Sequence, residues 1–215
     1  ANPLSEKFAV LRPSMIPGLL DALVYNRRRG QEDVRLFEAG AVFTQTGESQ
    51  RVGWILCGAR DAHWSQRAEP VDVFDALGIG EVLGQAWALT LRPEAARVPG
   101  FVPGRTSAVY AGDRRLGHVG QIDARVADAR GLPAGVMVVA GEFDLGAFDG
   151  DGMAVRRVEP LPRFPSVVRD LSLLCDVALS AADLRATIRQ PGCAFLREVR
   201  EFDRYQGKGI PPGKV

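Results

Sequence analysis

The chain has 215 residues, a formal net charge of +1, 46% hydrophobic and 25% charged residues, and a mean hydropathy of −0.03. This is the composition of an ordinary globular protein, and it argues against intrinsic disorder and a collagen-like repeat. No apolar run approaches the ~18 residues needed to span a bilayer, and the Ala1-Asn2-Pro3 start carries no signal pattern, so neither membrane insertion nor export is expected.

Residues 14–29 predict the first helix. Ile16, Leu19, Leu20, Leu23 and Val24 form one apolar stripe, Ser14 can cap the start, Arg27-Arg28-Arg29 oppose the negative end of the dipole, and Gly30 stops it. Residues 34–43 then read as a strand, joined by the polar turn Thr44–Ser49 to a second strand over Arg51–Gly58. Val71–Leu83 reads as a helix weakened by Gly78 and Gly80. Strands follow at about 86–91, 106–111 and 115–121, the last two joined across Gly112-Asp113-Arg114. A short helix at 123–130 leads into the apolar strand Val136–Leu145. Short turns between most strand neighbours predict an α+β fold, a largely antiparallel sheet with packed helices.

The net charge hides a split. Residues 1–150 carry 16 basic and 18 acidic side chains, and residues 151–215 carry 11 and 8. The change falls at Phe148-Asp149-Gly150-Asp151-Gly152 and is followed by Pro160, Pro162 and Pro165, which places a linker at 151–162 between domains at 1–150 and 163–215. Beyond it, Arg169–Asp176 alternates as a strand, Ser180 caps a helix from Ala181 to Gln190, and Phe195–Tyr205 alternates again before a glycine- and proline-rich turn. Strand, helix and strand make the first half of a β-α-β-β-α-β unit, so the chain is expected to stop within this domain.

Few residues suggest chemistry. The cysteines Cys57, Cys175 and Cys193 are too scattered for a disulfide framework or a zinc site, which fits a reducing, cytoplasmic setting. His63, Asp72 and Asp75 form the one cluster that could serve a metal or acid–base site; with Asp72 as a helix N-cap the cluster is structural instead. No phosphate-binding glycine motif occurs, and two histidines support no specific triad. Arg35 and Glu38 are three apart on a strand, so they point to opposite faces and suit a structural or interface role. Arg156, Arg157, Arg163, Arg169, Arg204 and Lys208, with Phe164 and Tyr205 among them, form either a phosphate-binding patch with stacking aromatics or a solvated surface.

Specific strings then carry a resemblance. Asn2-Pro3-Leu4-Ser5, Leu11-Arg12-Pro13-Ser14 through Pro17-Gly18-Leu19-Leu20, Tyr25-Asn26 with Arg29-Gly30, and Val34–Glu38 with Gly40 come first. His63-Trp64, Val71-Asp72 with Phe74-Asp75, Pro103-Gly104-Arg105, Leu116-Gly117 with Gly120, and Glu142 with Asp144-Leu145 follow. Arg163-Phe164-Pro165, Arg169-Asp170, Ala181-Ala182-Asp183 and Phe202–Gly209 complete the series. In this order they resemble the beta subunits of bacterial phenylalanyl-tRNA synthetases.

The resemblance implies that 1–150 is a catalytically silent module folded like a class II synthetase, and that 163–215 opens a ferredoxin-like anticodon-binding domain. It further implies an alpha subunit as partner in an (αβ)2 tetramer, with ATP and Mg2+ used by that parent complex and no cofactor, metal or catalytic residue in this segment. Arg163, Arg169, Tyr205 and Lys208 become the candidates for contact with phenylalanine tRNA, and Arg35 and Glu38 for the subunit interface. A stand-alone RNA-binding or protein-interaction module is the alternative. Val102-Pro103-Gly104, Leu77-Gly78 and Asp123-Ala124 depart from the family's usual His-Pro-Gly, Lys-Gly and His-Pro, changes that a scaffold tolerates more easily than an active site.

Overall fold

The apolar stripe near the N-terminus forms helix α1, Ile16–Arg27, which buries Ile16, Leu19, Leu20, Leu23 and Val24. Each contributes about 2 kcal/mol of apolar burial. The computed structural model describes residues 9–61, 64–65, 67–148, 163–190 and 192–215. Asn2–Ser5, His63, Arg156, Arg157 and the linker predicted at 151–162 lie outside the described residues. Ser14 does serve the helix start, its Oγ accepting from the Ile16 N–H at 3.1 Å, but Met15 holds the N-cap position and has no side-chain cap of its own.

The hairpin that follows comprises β1, Val34–Thr44, and β2, Gly47–Cys57, paired antiparallel from Val34–Cys57 to Thr44–Gly47. Its turn is tighter than the polar stretch Thr44–Ser49 suggests. Helix α2, Val73–Ala86, is capped by Asp72, whose carboxylate accepts from the Phe74 and Asp75 N–H groups, while Asp75 accepts from the Asp72 N–H. The helix runs on to Ala86 and displaces the strand expected at about 86–91. That edge strand is instead β3, Leu91–Ala95, pairing with Ser107–Ala111 of β4, Phe101–Ala111. β5, Arg114–Ile122, helix α3, Ala124–Ala129, and β6, Val138–Asp144, complete the unit, with a 3-10 turn at Leu145–Phe148.

All pairings are antiparallel, in the order β1-β2-β6-β5-β4-β3. The last strand therefore inserts between β2 and β5, welding two separate antiparallel units into one sheet. Apolar packing covers both faces of its central strands. On one side α1 and Ala127 of α3 meet Val42, Ile55, Val138 and Ala140. On the other, Trp54, Val119, Val139 and Phe143 pack with Ala76, Ile79 and Leu83 of α2. The Trp54 and Phe143 rings meet edge to face at 4.8 Å, and Trp54 Nε1–H donates to the Ala76 carbonyl at 3.0 Å. Gly80 is required here because a Cβ would come within 2.8 Å of the Phe143 ring. The glycine that weakens α2 by propensity thus lets it lie close on the sheet.

The chain divides into two compact units, Ala1–Arg157 and Val158–Val215. In the second, α4 spans Ala181–Arg189 with Ser180 as its N-cap, as the sequence predicts. The strands expected at Arg169–Asp176 and Phe195–Tyr205 do not form ladders. Among the described residues, pairing is confined to an Asp176–Lys214 bridge, where Cys175 and Val215 exchange backbone hydrogen bonds of 2.9 and 3.0 Å. Alternation alone does not hold a strand, which needs neighbours for its backbone groups. Leu171, Leu173 and Phe202 stand 64%, 48% and 70% exposed. Among the described residues, no helix is long and apolar enough to cross a membrane.

Helix α2 closes through Ala88 at φ 54, with Ala88 N–H donating to Gln85 O and Leu89 N–H to Gly84 O. This left-handed closure favours glycine. Ala88→Gly is expected to stabilise the first unit by about 1 kcal/mol, read as a higher urea midpoint at unchanged slope.

Candidate interaction surfaces

One buried carboxylate sets the geometry of the α1 side. Glu142 on β6 is 1% exposed. Its Oε2 accepts from Ser14 Oγ at 2.6 Å and from the Met15 N–H at 2.7 Å, and its Oε1 is paired with Arg51 Nη1 of β2. A negative charge at a helix N-terminus is favourable, and here it also satisfies a backbone donor that α1 leaves unpaired. Gly53, opposite Glu142 in the sheet, makes the approach possible, since a Cβ there would lie 2.8 Å from Met15 Cβ. His118 faces Glu142 from β5 and meets the Phe101 ring edge-on at 5.0 Å. Burial pushes its pKa below the ordinary 6.5, against the pull of Glu142 and with the repulsion of Arg115 and Arg51.

β1 is an edge strand whose outer side is partly occupied. The Phe43 N–H donates to the Arg12 carbonyl at 2.8 Å, and Arg12 Nε donates to the Ala41 carbonyl at 2.9 Å. These bonds show that odd-numbered residues of β1 point their backbone groups away from β2. Among the described residues, the N–H and C=O of Arg35, Phe37 and Ala39 find no protein partner on that side. Phe37 is 79% exposed along the same stretch. Arg35 donates to the Ala59 carbonyl at 2.8 Å and pairs with Asp61 at 3.4 Å. Glu38 points to the opposite face and pairs with Arg12 of this chain.

The sequence cluster around Asp72 and Asp75 resolves into an ion network. Arg60 pairs with Asp75 at 2.9 Å, Glu69 at 2.8 Å and Asp72 at 3.1 Å. Its guanidinium, with the Asp72 N–H, holds the Asp75 carboxyl below the ordinary carboxylate range. Those oxygens are committed to Arg60 and to capping α2, and no group of three His, Cys, Asp or Glu side chains that could hold a metal occurs among the described residues. The donor set therefore does not fit Mg2+.

In the second unit Arg163, Arg169, Tyr205 and Lys208 are all exposed. Tyr205 and Lys208 share one turn, the Tyr205 hydroxyl donating to the Lys208 carbonyl at 3.4 Å. Among the described residues, no hydrogen bond or ion pair joins Arg163 or Arg169 to that turn.

With both units described, comparison with known proteins is decisive. The family model for the phenylalanyl tRNA synthetase beta chain CLM domain matches residues 1–145, and that for the ferredoxin-fold anticodon binding domain matches 162–215. The chain belongs to the phenylalanyl-tRNA synthetase beta chain family. It is 36% identical over 223 residues to the phenylalanine-tRNA ligase beta subunit of Geobacillus kaustophilus, covering 100% of this chain and 27% of that relative. The Xanthomonas campestris pv. campestris subunit is 38% identical over 220 residues, and the Xylella fastidiosa subunit 37%, each covering 99% of this chain. The chain spans 27% of the length of these curated relatives. A solved pyrrolysyl tRNA synthetase of Desulfitobacterium hafniense, PylSc, aligns over 64% of this chain and 48% of its own, at 17% identity and a TM-score of 0.48.

Sequence reasoning placed Glu142 in a family string but missed its role as the anchor of α1. The available signal was an acidic residue inside the otherwise apolar run Val136–Phe143, which demands a buried partner. Glu142→Gln is expected to lower stability by about 3 kcal/mol, because it leaves the Arg51 charge uncompensated; denaturant unfolding measures it. The lowered pKa of His118 predicts a second effect. The unfolded chain binds the proton first, so stability is full above about pH 6.5 and falls as pH drops through that value. Asp75 contributes a separate loss only as pH falls below its ordinary 3.8. His118→Gln is expected to flatten the profile between pH 7.5 and 5.5 while leaving the acid limb, as read by urea midpoints.

Proposed function

We propose that this chain works within the beta subunit of a phenylalanine-tRNA ligase, in a cytoplasmic (αβ)2 complex that attaches phenylalanine to its tRNA. In this reading residues 1–150 are a catalytically silent class II-like scaffold for the alpha subunit, and 151–162 connect it to anticodon-binding residues at 163–215. ATP and Mg2+ act at the alpha subunit, and no residue of this chain takes part in the chemistry. The observation that carries the reading is the pair of family matches, one over residues 1–145 and one over 162–215, in the order found along relatives 36–38% identical throughout.

Two features support the scaffold role. The central strands are covered on both faces, Ile55 by Leu19 of α1 on one side and Trp54 and Phe143 by Ala76 of α2 on the other, so their side chains serve packing. The outer edge of β1 offers backbone groups with no partner among the described residues, beside exposed Phe37, an arrangement that another chain can complete. Arg35 borders this edge, whereas Glu38 supports it from behind through Arg12. In the second unit, Arg163, Arg169 and Lys208 supply phosphate-binding charge and Tyr205 a ring for stacking. The exposed Leu171, Leu173 and Phe202 call for cover from further polypeptide.

Mixing the chain with the alpha subunit is expected to give a co-eluting complex. Phe37→Glu or Arg35→Glu should weaken it at least tenfold, and Glu38→Ala much less. The chain alone is expected to show no phenylalanine-dependent ATP–pyrophosphate exchange; clear exchange in a clean preparation, or failure to bind the alpha subunit, overturns the reading.

A further inference from the structure

The first unit carries a concentrated basic strip that the scaffold role does not use, although Arg92 donates to the Gly112 carbonyl at 3.3 Å and Arg105 to Gln121 Oε1 at 2.8 Å. Between Leu91 and Ile122 there are five arginines, Arg92, Arg97, Arg105, Arg114 and Arg115, against two carboxylates, Glu94 and Asp113. The remainder of residues 1–150 carries 11 basic and 16 acidic side chains, so the positive charge is localised on β3, β4, β5 and their connections.

The strand register organises part of it. Arg92 on β3 lies directly opposite Tyr110 on β4, and Tyr110 lies opposite Arg115 on β5. Directly paired residues share a face, so the three side chains form one row, arginine, tyrosine, arginine, across about 10 Å of sheet. The irregularity between Val109 and Tyr110 produces this row by pairing Tyr110 with Arg115 and leaving Leu116 to enter the α2-side core with Val109. Tyr110 faces the other way, on the side where α1 packs on β1, β2 and β6. Arg92 and Arg115 are exposed and Tyr110 half-buried. The Arg92 guanidinium lies 5.4 Å from the centre of the Tyr110 ring and is also paired with Glu94.

We propose that this row is an RNA-binding surface, in which Arg92 and Arg115 hold successive backbone phosphates of a single-stranded segment and Tyr110 stacks on the base between them. Aromatic stacking between cationic side chains is the chemistry that single-stranded nucleic acid recognises without sequence preference. Glu94 moderates the site by competing with phosphate for Arg92. The row belongs to the first unit and does not rest on the assignment of Arg163, Arg169, Tyr205 and Lys208 in the second.

The test titrates the whole chain with a labelled oligouridylate of about 12 nucleotides over a series of salt concentrations. It is run both in the native background and with Arg163→Ala and Arg169→Ala present. Combined Arg92→Ala and Arg115→Ala should weaken binding about tenfold in either background and reduce the salt slope by about 1.4, two single-strand phosphate contacts. Tyr110→Ala should cost about fivefold and Tyr110→Phe almost nothing, since the ring suffices for stacking. Glu94→Gln should tighten binding about two- to threefold. Binding by the double arginine variant within twofold of the native chain, with an unchanged thermal melt, overturns the proposal. So does loss of alpha-subunit co-elution without loss of RNA binding, which would make the row a protein interface.

Discussion

The carboxylate of Glu142 is the constraint on which the first unit depends. It lies in one of the two central strands of the sheet, accepts hydrogen bonds from Ser14 and Met15 at the start of α1, and neutralises Arg51 from the neighbouring strand. A buried ion pair adds little net stability compared with an apolar replacement of the same shape. Its effect is on register: only one placement of α1 along the sheet puts Ser14 and Met15 on Glu142, and that placement brings Met15 down onto Gly53. Apolar contacts between α1 and β2 would tolerate sliding; the carboxylate does not.

This register reaches the surface. Gly53, Glu142 and His118 lie in one row across β2, β6 and β5, and the row continues to Glu38 on β1 and to Ala108 and Glu94 on the far strands. Glu38 holds Arg12, and Arg12 in turn closes the outer edge of β1 at Ala41 and Phe43. The segment that leads into α1 thus ends edge protection where it turns toward Glu142, leaving Arg35, Phe37 and Ala39 beyond it. Which part of the edge is open follows from where the helix is anchored, so a fault at Glu142 would reach the candidate subunit interface through backbone placement and not through direct contact.

Much of the fold was legible because its signals are local. The α1 stripe, the Asp72 cap, the Gly112-Asp113 turn and Ser180 at the head of α4 each depend on residues within one or two turns of chain. The extension of α2 past Leu83 was hidden because Gly84 lowers helix propensity, whereas in the fold Gly84 is buried where a Cβ would come within 2.8 Å of Leu91. In the second unit the alternation at Arg169–Asp176 was real as a pattern, yet a pattern supplies no hydrogen-bonding neighbour. Of the candidate site, the exposure of Arg163, Arg169, Tyr205 and Lys208 agrees with their polarity. The partners of Arg35 and Glu38 were not legible, since Asp61 and Arg12 meet them only through tertiary folding.

Charge shows why composition alone was uninformative. The whole chain is close to neutral, and so is its first unit, but the sheet sorts that near-zero sum into regions of opposite sign. Acidic side chains are used to hold things in place: Glu142 anchors α1, Asp72 and Asp75 start α2 and bind Arg60, Asp123 starts α3, and Asp21 pairs with Arg130. Their charge is spent on caps and internal pairs, where it is screened from any partner. The arginines of β3 to β5 stay exposed even where they are paired, Arg92 with Glu94 and the Gly112 carbonyl and Arg105 with Gln121. A scaffold that spends its carboxylates internally while leaving guanidinium groups exposed presents a more positive surface than its net charge states, and a polyanion would meet that surface first.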